Sequence, residues 1–101
     1  MMRRIILSKR ASRRLEKLLE YLESEWSLKA KKEFIKKLDK SLLQIKKYPD
    51  SSPRSEIVKG LHKHVITKQT TIYYTYDNKS ISIVTIFDNR MNPNKLKREV
   101  K

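Results

Sequence analysis

A chain of 101 residues can bury one modest core, and with 38% apolar against 36% charged residues that core must come from well-segregated stripes. The lack of cysteine excludes disulfides, thiolate metal sites and a thiol nucleophile. Twenty-five Lys and Arg against eleven Asp and Glu leave a net charge of +14, spread along the whole length, and a field of that size attracts nucleic acid, an anionic surface or an acidic protein. Met1-Met2-Arg3-Arg4 precedes only three apolar residues, too few for a signal segment. No apolar run approaches the ~20 residues of a membrane span, so a cytoplasmic protein with no membrane partner is expected.

Arg4-Ile5-Ile6-Leu7, closed by Ser8, reads as a first strand. Ala11-Ser12 opens a helical pattern in which Leu15, Leu18, Leu19, Leu22 and Trp26 recur at three- and four-residue steps, with Arg13, Arg14, Lys17, Glu20 and Glu23 on the other face. Ser24-Glu25-Trp26-Ser27 marks a break, and Ser27 is an N-cap for a second helix over 28–47. The apolar stripe of that helix is Leu28, Phe34, Ile35, Leu38, Leu42 and Ile45, with Lys29, Lys32, Lys36, Lys37 and Lys40 mostly off it. Tyr48-Pro49-Asp50-Ser51-Ser52-Pro53 stops the helix, because each proline pushes its predecessor out of the α region.

Beyond Pro53 the apolar period changes from 3.6 to 2, and Leu61–Thr67, Thr71–Tyr76 and Ser80–Phe87 read as strands. Asp77-Asn78-Lys79 is the turn of a β-hairpin, and the lone glycine, Gly60, marks a bend before the first of these strands. The polar stretch 88–101, with Pro93, reads as a loop with a frayed tail or a short helix. The order β-α-α-β-β-β predicts one α+β domain over 1–101: a four-stranded antiparallel sheet with a helical hairpin on one face and the other face open to solvent or a partner. Its core is expected to draw on Leu15, Leu18, Leu22, Ile35, Leu38, Leu42, Val65, Ile72, Tyr74, Ile83 and Ile86.

Three groups of residues are candidates for function. His62 and His64 flank Lys63 on a strand, so alternation puts the two imidazoles on one face, taken here as the open one. They suit acid–base chemistry on RNA, phosphate contact, or plain solvation of a wet face. No third ligand beside them suggests a metal, and no cofactor is implied. Arg90, where the last strand opens into Asn89-Arg90-Met91-Asn92-Pro93, suits a bidentate contact with phosphate or carboxylate, or a structural pairing with Asp88. Tyr73, Tyr74 and Tyr76 share a strand, where an outward ring could stack on a base and an inward one packs.

The run Gly60-Leu61-His62-Lys63-His64-Val65-Ile66, then Ile72-Tyr73-Tyr74, Ile81-Ser82-Ile83-Val84 and Ile86-Phe87-Asp88-Asn89-Arg90-Met91-Asn92-Pro93, resembles the RelE/ParE toxin superfamily. Within it the chain looks like the ParE-type branch of plasmid stabilisation toxins, with the likeness running from Arg4 to Leu96. The resemblance implies the toxin of a type II toxin–antitoxin pair, bound by a cognate acidic antitoxin in a hetero-oligomer. RelE-like members are ribosome-dependent endoribonucleases that cut mRNA, using basic residues on the central strands, an arginine near the end of the last strand and often a C-terminal Tyr or His. ParE-like members lack that set and poison DNA gyrase.

Carried over by position, the catalytic candidates of a ribonuclease are His62, His64 and Arg90, and the target or nucleic-acid contacts are Arg90, Lys63 and Lys68. An arginine that nuclease members carry at the start of the third strand falls on Thr71, and nothing after Phe87 is aromatic or histidine. Cleavage by 2′-OH attack needs a base, charge stabilisation and an acid for the leaving oxygen. With that set incomplete, the resemblance implies a non-enzymatic, gyrase-directed toxin. A ribosome-dependent mRNA endoribonuclease and a non-toxic basic binding module are the other two readings.

Overall fold

The computed structural model describes residues 3–55 and 59–88. Strand β1 (Arg4–Leu7) is followed by helix α1 (Lys9–Tyr21), a π-helical turn (Leu22–Trp26), helix α2 (Leu28–Lys47), and strands β2 (His62–Thr67), β3 (Thr70–Tyr76) and β4 (Ser80–Asp88). Each helix begins on a serine: Ser8 Oγ accepts from the Ala11 N–H and Ser27 Oγ from the Ala30 N–H, both at 3.0 Å, which satisfies donors that a helix start leaves orphaned. With Ser8 as its cap, α1 opens at Lys9, two residues earlier than Ala11-Ser12 suggested. The break before Ser27 is a wide turn, closed by the Ser27 N–H donating to the Leu22 carbonyl five residues back at 2.9 Å.

The sheet order is β1-β4-β3-β2. β2, β3 and β4 form an antiparallel meander, but β1 pairs with β4 in parallel, Arg4 opposite Ser80 and Leu7 opposite Ile83, so the sheet is mixed and not antiparallel throughout. The cause is connectivity. β1 reaches β2 through two helices and the segment 48–61, a crossover long enough to restore its direction, and the two hairpins that follow bring β4 round to the same sense. The β3–β4 turn is tied by Asp77, whose Oδ1 accepts from the Lys79 and Ser80 N–H groups at 2.8 Å; these bonds hold its carboxyl below the usual carboxylate range.

Ala11 of α1, Phe34, Leu38 and Ile45 of α2, and Ile72, Tyr74, Ile81, Ile83 and Ile86 of the sheet make the buried core, with Leu15, Leu18, Leu22 and Leu42 packed half-buried against it. Two expected members differ. Ile35 is only half-buried, and Val65 is 58% exposed, because Lys63 and Val65 face away from the helices while His62 and His64 share the face of their cross-strand partners Tyr74 and Ile72. Leu28, placed on the α2 stripe, is also exposed, standing at the helix start just past the wide turn. The face turned away from the helices is not bare as expected: Thr71, Tyr73, Thr85 and Phe87 are all buried, with the Tyr73 and Phe87 rings edge-to-face at 6.2 Å. Gly60 sits at φ +91°, a left-handed conformation that L side chains rarely adopt.

Candidate functional site

The two histidines lie together at the β2 edge, but on the helix side of the sheet and not on its open face. Alternation pairs them correctly; the side is decided by the register, which sets His62 opposite Tyr74 and His64 opposite Ile72. His62 stacks on Tyr74 at 5.5 Å and tilts against Tyr76 at 5.4 Å. Its Nδ1 lies 2.9 Å from the Ser52 carbonyl, so Nδ1 carries the proton it donates and the neutral ring keeps its lone pair on Nε2. His64 Nδ1 meets the Ser52 hydroxyl at 2.9 Å, and burial pushes its pKa below the usual histidine value.

Tyr74 completes this cluster. Its hydroxyl donates to the Pro49 carbonyl at 2.6 Å, and burial pushes its pKa up. The loop after α2 is thus fastened to the sheet through Pro49 and Ser52, while backbone bonds from Ser55 to Leu61 and from Lys63 to Pro53 line its next residues along the β2 edge. Chemically the pair offers two imidazoles, each with one nitrogen committed to Ser52.

Of the other candidates, Lys63 stands opposite Tyr73 on the face away from the helices, and Lys68 is exposed in the β2–β3 turn. Arg90 lies outside the described residues. Thr71, where nuclease members carry an arginine, is buried opposite Phe87. No group of three or more His, Asp or Glu side chains that could hold a metal occurs among the described residues.

A second surface was legible only in part. β1 stops at Leu7, so beyond Ile83 β4 is paired on its β3 side alone, and α1 fills the gap on the other: Ser8 Oγ donates to the Val84 carbonyl at 2.7 Å and Arg14 to the Thr85 hydroxyl at 3.2 Å. The Arg14 guanidinium lies over the Phe87 ring at 6.0 Å. Beyond Arg14 an apolar groove of ≈ 640 Å³ opens between Leu18, Tyr21, Leu22, Trp26 and Ala30 of the helices and Thr70, Ile86 and Phe87 of the sheet. On its other side a shallow shelf is lined by Lys9, Arg10, Arg13, Arg14 and Lys17. Groove and shelf share Arg14 and Lys17. The sequence signal for the shelf is a basic run at three- and four-residue steps; the groove had none, because the wide turn that lifts Trp26 out of the α1 stripe leaves no mark in apolar periodicity.

A model of the ParE toxin of the type II toxin–antitoxin system, parDE, matches residues 5–93. The chain belongs to the ParE toxin family. The fold of this ParE-family chain is also that of two solved structures. The chromosomal ParDE TA system from P. aeruginosa has a TM-score of 0.70 at 13% identity, covering 86% of this chain and 96% of that one. The E. coli DinJ-YafQ toxin-antitoxin complex has a TM-score of 0.60 at 12% identity, covering 89% and 96%. No curated protein sequence matches the chain. Among the described residues no helix is long and apolar enough to cross a membrane.

Proposed function

We propose that this ParE-family toxin arrests growth in the cytoplasm by poisoning DNA gyrase without cleaving RNA, and that a cognate acidic antitoxin neutralises it in a hetero-oligomer. The observation that carries the reading is how His62 and His64 are used. Both Nδ1 atoms are taken up by Ser52, and the His62 ring is stacked on Tyr74, so the two imidazoles fasten a loop. A buried threonine, Thr71, stands where a nuclease would place a cation. An RNA-cleaving site would lack the charge that a phosphorane requires there. Membership of the ParE family favours the same target, and the toxin–antitoxin assemblies of its structural neighbours favour the antitoxin.

The test is induced expression, scoring the DNA-damage response against mRNA cleavage. A DNA-damage response with intact mRNA is expected, and it should persist in His62→Ala/His64→Ala at whatever level that variant folds. Ribosome-dependent mRNA fragments that vanish in the double variant would replace this reading with the endoribonuclease. Growth unaffected by a folded protein would leave the non-toxic binding module.

A further inference from the structure

The outer face of α1 carries Lys9, Arg10, Arg13 and Lys17, all exposed, in a helix with no acidic residue in its first turn. Lys9–Arg13 and Arg13–Lys17 are like-charge pairs four residues apart, which repel, and cations at a helix start oppose its dipole. Among the described residues Lys9, Arg13 and Lys17 have no hydrogen-bond or ion-pair partner, so the fold draws nothing from them in return. These three cations cost the helix stability and hold no other described element, which points to something outside the chain.

We propose that this shelf and the adjoining groove form a track for single-stranded nucleic acid, with phosphates along Lys9, Arg13 and Lys17 and a base entering the groove against Tyr21 and Trp26. Charge density favours a phosphodiester over a peptide. Lys9, Arg13 and Lys17 stand about 6 Å apart along about 12 Å of helix axis, which sets one cation against each of about three successive phosphates of an extended strand. A nucleic-acid strand supplies that charge at every nucleotide whatever its sequence, whereas an extended polypeptide would need an acidic side chain at every other residue.

The groove supplies the second half of the requirement. Sequence-tolerant strand binding joins a basic path to exposed aromatic platforms. Tyr21 is 47% and Trp26 71% exposed, directly beyond the basic shelf. Arg14, held by Thr85 and stacked on Phe87, is the fixed edge over which the strand passes from one to the other. Paired bases do not enter such a groove, so a duplex is disfavoured. The inference stands apart from the toxin's cellular target.

Trp26 is the only tryptophan, so its fluorescence reports occupancy directly. Titration with an oligothymidylate of about twelve nucleotides should quench it, and contacts to about three phosphates should weaken binding about 20-fold between ~50 and ~200 mM salt. Lys9→Gln/Arg13→Gln/Lys17→Gln, followed by anisotropy of a labelled oligonucleotide, should lose most of the binding and flatten the salt slope while melting no lower than the parent. Trp26→Ala, outside the core, should weaken binding on the order of tenfold. The control Lys32→Gln/Lys36→Gln/Lys40→Gln on α2 should retain it. Equal loss in that control, or tighter binding of a blunt duplex, would overturn the proposal. Equal quenching by polyglutamate would reassign the surface to an acidic protein.

Discussion

His62 and His64 converge on Ser52, which is itself buried, and the stability of the β2 edge is tied to the neutral form of at least one of them. Burial lowers the pKa of His64 in the fold below the 6.5 of an exposed imidazole. As pH falls through 6.5 the unfolded chain takes up a proton that the fold resists, so stability present above that pH is lost on acidification until the folded pKa is passed. Melts from pH 8 to pH 5 should show this loss, and His64→Gln should remove its share of the slope; an unchanged slope would take His64 out of the account. Tyr74→Phe leaves the buried Pro49 carbonyl without its partner and should cost about 1–3 kcal/mol, read from denaturant midpoints. For Arg90, the resemblance alone motivates the expectation that Arg90→Ala reduces growth inhibition while leaving the melting temperature within a few degrees. Period-2 alternation made the shared face of the two histidines legible, but the side they face was not, because the pairing register with β3, about ten residues on, decides it.

At the scale of elements, the 3.6-residue stripes of both helices and the hairpin turned by Asp77-Asn78-Lys79 were legible because each is written locally. The direction of β1 was not. A strand has the same residue pattern whether its neighbour runs parallel or antiparallel, and only the crossover through α1 and α2 decides between them. The wide turn at Leu22–Trp26 was seen only as a break over Ser24-Glu25-Trp26-Ser27, since a serine cap is a local signal and an i to i+5 bond is not. Ser27→Ala should cost about 1 kcal/mol by leaving the Ala30 N–H uncapped, measurable as a shifted urea midpoint with an unchanged slope. Leu38→Asp would bury an unpaired carboxylate in the layer where α2 meets the sheet and should unfold the protein. A circular-dichroism melt of that variant close to the parent's would remove Leu38 from the core.

Across the whole molecule, a charge of +14 is carried on a fold with a helical layer on one side of a mixed sheet. Association with an acidic antitoxin should therefore slow and weaken as salt is raised, and rates that do not change with ionic strength would contradict the proposed partner. The same charge suits a toxin aimed at a DNA-handling enzyme and one aimed at the ribosome equally, because both targets present polyanions. The distinction rests on the histidine–Ser52 anchor and on Thr71. Its most direct test is purified protein added to two parallel reactions, gyrase supercoiling a relaxed plasmid and ribosomes translating a defined mRNA. Inhibition of supercoiling with the mRNA left whole is the predicted result; an unaffected gyrase beside mRNA cut on the ribosome would contradict it.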